Sequence, residues 1–151
     1  MKKIKTIGLV AHDACKNDMS EWVREHALKL APHSLYCTGT TGRLVQAVFD
    51  LEFARCGVKV KRLKSGPLGG DQQMGALIAE DRVDVLFFFT DPMTMQPHDV
   101  DVKALMRISA IANIVVACTR ATADFVISSP LFDQDYEGER DEHDDYLSRE
   151  V

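Results

Sequence analysis

The sequence predicts a three-layer α/β/α domain built on a five-stranded, mainly parallel sheet of the flavodoxin-like kind. Three observations carry that expectation. Apolar runs of five to eight residues recur along the chain with helical patterns between them. These runs are apolar throughout instead of at every second residue, as strands covered on both faces require. The length, 151 residues, suffices for one domain with a sizeable core but not for two ordinary ones.

The elements follow in order. Ile4–Ala11 reads as the first strand. Asn17 or Asp18 then caps a helix carrying Trp22, Val23, His26 and Leu30 that stops before Pro32. Ser34–Thr38 is a short second strand, and the turn Thr38-Gly39-Thr40-Thr41-Gly42 leads to a helix through Leu44, Val45, Val48 and Phe49. Val58–Leu63 is the third strand. The loop Ser65-Gly66-Pro67-Leu68-Gly69-Gly70 opens onto a helix from Asp71 to Glu80. Val83–Phe89 is the fourth strand and the most continuous. After the loop Thr90–His98 come a helix over Asp99–Ala112 and a fifth strand at Ile114–Cys118. A short amphipathic piece, Ala121–Ile127, precedes an acidic tail.

Charge separates body from tail. The chain holds 18 basic and 23 acidic residues, but Asp133–Val151 alone has nine acidic and two basic, a net of −7. Residues 1–132 therefore carry +2 and form the domain, with 133–151 as the tail. A nearly neutral body is a poor nucleic-acid surface. No apolar stretch approaches the roughly 18 residues of a membrane span, and the apolar segment after Lys5 ends at His12-Asp13, too soon for an export signal. Four widely spaced cysteines read as reduced, mostly buried thiols of a cytoplasmic protein.

In parallel sheets, ligands sit beyond the carboxyl ends of the strands. The loops expected to meet there are His12–Lys16, Thr38–Gly42, Ser65–Asp71 and Thr90–Asp101. Glycines let backbone approach an anion, threonine hydroxyls donate, and a helix start presents N–H groups. Thr38–Gly42 therefore reads either as a phosphate site or as a plain turn with a threonine cap, since it lacks nucleotide-loop spacing. Ser65-Gly66 and Lys16 add a hydroxyl, flexible backbone and a positive charge. Together they favour a small phosphorylated ligand. Asp71 reads either as an N-cap or as a carboxylate base kept ionised by helix N–H groups. His98 and Asp101 are a capping pair or a proton donor and a second proton carrier; Asp91-Pro92 shapes its loop. Two other patterns are weaker. Cys15 near His12 suggests a thiol nucleophile, but nothing else fits acyl transfer. Asp133, Asp135, Glu137, Gly138 and Asp144 fall near calcium-loop positions, with Arg140 and Asp144 against the pattern. No zinc-like spacing occurs.

Leu9-Val10-Ala11-His12-Asp13, the threonine turn, Ser65-Gly66-Pro67-Leu68-Gly69-Gly70-Asp71-Gln72-Gln73 and Pro97-His98-Asp99-Val100-Asp101 together resemble the methylglyoxal synthase family, from Ile4 to Phe132. That resemblance implies a lyase converting dihydroxyacetone phosphate to methylglyoxal and inorganic phosphate. It implies Asp71 as the base on the hydroxymethyl carbon, His98 as the group acting on the oxygen, and Asp101 as carrier of a further proton. It places His12, Lys16, Thr38, Gly39, Thr40, Thr41, Ser65 and Gly66 around the substrate, and Arg107 near phosphate and a subunit interface. It also implies no metal or cofactor, a homohexamer, and inhibition by phosphate. Two departures stand out: a longer Arg43–Lys64 segment, and the acidic tail, whose Arg140 and Arg149 are the candidates for the family's C-terminal arginine. A non-catalytic regulatory module of the same fold is the alternative, as in carbamoyl phosphate synthetase.

Overall fold

The computed structural model describes residues 1–94 and 99–136. Five parallel strands, β1 (Thr6–Ala11), β2 (Ser34–Cys37), β3 (Lys61–Arg62), β4 (Val85–Phe89) and β5 (Val115–Ala117), form one sheet in the order β3-β2-β1-β4-β5. The helices are α1 (Lys16–Glu25), α2 (Ala27–Leu30), α3 (Gly39–Glu52), α4 (Gly70–Ala79), α5 (Asp99–Ile111) and α6 (Arg120–Ser128). The layered α/β/α class is the one the sequence predicts. The sheet is wholly parallel, however, and its order is not the 2-1-3-4-5 of flavodoxin. Residue character explains the difference. The place beside β1 is covered on both faces, and Val85-Leu86-Phe87-Phe88-Phe89, buried at every position, suits it. The third strand, with exposed Lys61 and Arg62, suits an edge.

Alternate residues of the central strands feed two cores. Ile7, Leu9, Phe87 and Phe89 pack with Trp22 of α1, Val45 and Phe49 of α3, and Ala123 and Ile127 of α6. Val10, Leu86 and Phe88 pack on the opposite face with Met74 and Ile78 of α4 and with Val102 and Leu105 of α5. Each such large side chain contributes about 1.5–3 kcal/mol by burial. Trp22, fully buried, also donates its indole N–H to Asp124 Oδ1 at 2.8 Å, tying α1 to α6. α1 starts at Lys16, ahead of the expected cap, because a 3-10 turn over Asp13–Cys15 leads into it.

Beyond α6, a 3-10 turn (Pro130–Asp133) carries the chain to the amino ends of the strands. There Lys5 Nζ donates to Gln134 O at 3.1 Å and the Tyr136 N–H donates to Met1 O at 3.0 Å. The first residues of the acidic segment are thus docked. Among the described residues, no helix is long and apolar enough to cross a membrane.

Candidate active site

Because β2 and β4 leave β1 in opposite directions, the sheet has its crevice at the carboxyl end of β1. A cavity of about 420 Å³ lies there, lined by His12, Lys16, Thr38, Thr40, Thr41, Ser65, Gly66 and Asp71, with Val10 and Phe88 among its apolar walls. Seven of the eight residues expected to surround a substrate line it. The eighth, Gly39, serves by contact: a Cβ there would lie 2.6 Å from Ser65 Cα, so only glycine lets the two turns interlock. Gly70 is as tightly held, a Cβ falling 2.0 Å from the Lys64 carbonyl oxygen.

The residues Thr38–Gly42 are not a loop. Gly39 begins α3, with Thr38 at the N-cap position, and the Thr38 side chain makes no capping hydrogen bond. The cap alternative for this hydroxyl therefore fails. The Gly39 N–H donates to the Leu63 and Lys64 carbonyls, and the Gly42 N–H to Thr38 O. Thr40 and Thr41 N–H remain as first-turn donors at the cavity wall. Lys16 opens α1 and pairs with Asp13, itself largely exposed.

Asp71 is 3% exposed and lies in the first turn of α4, whose N-cap is Gly69 at φ 96°. It is therefore not the cap. It is a buried carboxylate at the N-terminal end of a helix, where the dipole is positive. The turn before it is held by Gln73, which sequence reasoning left without a role, and by the backbone of Ser65. Gln73 Oε1 accepts the Lys64 N–H at 2.8 Å, and Ser65 O accepts the Leu68 and Gly70 N–H groups.

His12 is 7% exposed, edge-on to Phe88 with ring centroids 5.1 Å apart. Its Nδ1 accepts the backbone N–H of Asp91 at 2.9 Å. An accepting Nδ1 leaves the proton of the neutral ring on Nε2, which makes His12 a donor through that atom.

Asp101 does not line this cavity. It borders a separate recess of about 340 Å³ between α4 and α5, together with Asp71, Gln72 and Arg107. Asp71 is the wall shared by the two. Arg107 is exposed, six residues along α5 from Asp101. His98, and with it its contacts to Asp71 and Asp101, lies outside the described residues, as do Glu137, Gly138, Asp144, Arg140 and Arg149. Of the four cysteines only Cys37 is buried, on β2 in the core, and Cys56, in a turn after α3, is exposed, so the thiols are not mostly buried as expected. Burial, then the nearby Asp91 and Asp18 carboxylates, raises the Cys15 thiol above its ordinary range, the opposite of what an activated nucleophile needs.

Comparison with known proteins decides the family. Residues 18–119 match the MGS-like domain model. Curated proteins named methylglyoxal synthase align over nearly the whole chain. That of Erwinia tasmaniensis is 51% identical, covering 97% of this chain and 92% of its own. The chain belongs to the methylglyoxal synthase family. The methylglyoxal synthase of Coxiella burnetii is 44% identical, with 97% of each chain covered. The crystal structure of methylglyoxal synthase from Elizabethkingia anophelis NUHP1 superposes with a TM-score of 0.90 at 50% identity, covering 100% of this chain and 95% of that one. The chain falls with the lyases called methylglyoxal synthase, not with the regulatory modules that share their fold.

Proposed function

We propose that the chain converts dihydroxyacetone phosphate to methylglyoxal and inorganic phosphate. The observation that carries this reading is a carboxylate, Asp71, buried at a helix start in one cavity with the hydroxyl and N–H groups of two interlocked turns. Asp71 takes a proton from the hydroxymethyl carbon, and the carbon's electrons move into the carbonyl to give an enediolate. His12 Nε2–H and His98 act on the oxygens, where charge develops. The C–O bond to phosphate then breaks, its electrons leaving with phosphate. The enediolate's electrons form a double bond to the methylene carbon while the terminal hydroxyl gives up its proton to become the aldehyde. The resulting enol takes up a proton at the former methylene carbon. Asp101 moves a further proton from its place across the α4–α5 contact. Thr40 and Thr41, through both their hydroxyl and N–H groups, with Ser65 and Lys16, hold the phosphate. Elimination requires the C–O bond perpendicular to the enediolate plane, so this grip decides between lyase and isomerase outcomes.

Arg107 stands at a subunit contact, and the chain assembles as a homohexamer in the cytoplasm without a cofactor, inhibited by phosphate. Incubating the protein with dihydroxyacetone phosphate and following methylglyoxal and phosphate together tests the reaction. Both products should form in equal amounts. In Asp71→Asn the rate should fall by about 10²–10⁴-fold with the fold intact. Binding without phosphate release by the wild type would leave only a sensor.

A further inference from the structure

We propose that Asp91 is a positioning residue for the reaction, acting through the tautomer of His12. The inference rests on the reading of His12 as an oxygen-directed donor. Asp91 follows β4, on the far side of the crevice from β2. Its carboxylate folds back on its own loop: Oδ1 accepts the Met93 N–H at 2.9 Å, an Asx turn. The Thr94 hydroxyl, and then the Met93 N–H, hold the Asp91 carboxyl below the usual range, which keeps it an acceptor. The turn directs the Asp91 N–H at His12 Nδ1, 2.9 Å away. The adjoining backbone is anchored on both sides: the His12 N–H donates to Phe89 O at 3.1 Å, and the Thr90 N–H donates to Cys118 O at 3.3 Å.

The chemical consequence is specific. With Nδ1 accepting, Nε2 bears hydrogen and donates to a carbonyl or enediolate oxygen. The other tautomer would turn a lone pair towards the same oxygen and repel it. Asp91 touches no reacting atom, and its contribution is the orientation and protonation pattern of the ring.

Long-range ¹H–¹⁵N spectra of the ¹⁵N-histidine-labelled protein test this, with His12 assigned by its loss in His12→Asn. The wild type should show neutral His12 protonated on Nε2. Asp91→Ala should show a mixture of tautomers and a fall in kcat of about 100-fold, with KM changed about threefold or less. Asp91→Asn, whose amide oxygen can accept the same N–H, should restore both tautomer and most of the rate. A wild-type ring protonated on Nδ1 overturns the proposal. So does an unchanged tautomer in Asp91→Ala, a normal rate despite a changed tautomer, or an Asp91→Asn variant as impaired as the alanine. If Asp91→Ala does not fold, the wild-type spectrum and the asparagine variant still decide. The spectra do not depend on turnover, so failure of the lyase reading would show separately, as an inactive wild type.

Discussion

The two ends of the sheet carry recesses of nearly equal size and opposite character. At the amino ends of the strands, a recess of about 430 Å³ is bordered by Lys2, Thr6, Arg82, Asp84 and Asp135. Its polar groups are used within the fold: Asp84 Oδ2 accepts the Thr6 N–H at 2.8 Å and Asp135 accepts the Lys3 N–H. Beside it, Lys5 is 1% exposed and donates to the Lys2 and Gln134 carbonyls. At the carboxyl ends, the 420 Å³ cavity gathers buried Thr38, Thr41, His12 and Asp71, with a lysine and three helix starts. Volume does not tell a site from a structural hollow. What distinguishes them is that helix N–H groups and a positioned histidine converge on one, whereas the carboxylates of the other are taken up by backbone N–H groups of the fold.

If that contrast is right, variants at the lower end should change stability and variants at the upper end should change kinetics. The largest effect is expected for Lys5→Met, which leaves two carbonyls without their buried donor. A loss of about 3 kcal/mol corresponds to a Tm decrease of roughly 6–12 °C. KM of the folded fraction should be unchanged, and thermal melts with kinetics at 25 °C check both. Gly70→Ala should act at the other end. Its Cβ meets the Lys64 carbonyl, so the Ser65 turn must shift, and a misplacement of that order lowers kcat/KM about 100-fold. An unaffected rate would show that the turn does not position substrate.

Smaller effects sharpen the comparison. Ser65→Ala and Thr40→Ala should each raise KM about tenfold, the equivalent of roughly one hydrogen bond to a charged group. They should also shift products from methylglyoxal towards the aldose isomer. A higher KM with an unchanged product ratio would limit the turn to binding. The smallest effect concerns pH. Burial, and then the Lys5 ammonium, lower the His33 pKa below 6.5. Its Nδ1 accepts the Lys5 N–H at 3.1 Å. The unfolded chain therefore binds this proton more readily. The stabilising contribution is complete above about pH 6.5 and declines as the pH falls from there through the lowered folded-state pKa. Urea melts of wild type and His33→Asn between pH 7 and 5 should differ in slope, the wild type losing more stability.

Much of this was legible in residues. Continuous apolar runs marked strands covered on both faces, and the Gly-Gly-Asp and threonine turns marked the walls of one cavity before any coordinates. What was not legible depended on tertiary partners. The third strand is only Lys61–Arg62 because Gln46 of α3 takes backbone groups on its approach: Oε1 accepts the Val60 N–H at 2.8 Å and Nε2 donates to Val58 O at 3.1 Å. No local pattern announces that competition. Asp71 looked like a cap because a carboxylate at a helix start usually is one, yet a left-handed Gly69 fills that role and frees the carboxylate for the cavity. Asp101 appeared to share a pocket with Asp71, and does so only through the recess between α4 and α5. The docking of Gln134 and Tyr136 needed the buried Lys5, which reads in the sequence as one of three lysines in the basic start.

The central claim is that the Asp71 carboxylate removes the carbon-bound proton. It is tested most directly with dihydroxyacetone phosphate deuterated at the hydroxymethyl carbon, by following release of deuterium to water alongside release of phosphate. The wild type should release both, with a primary isotope effect on single-turnover proton removal. Asp71→Asn should bind the substrate and release neither at a comparable rate. Deuterium release by Asp71→Asn at the wild-type rate would assign the proton to another base and contradict the account.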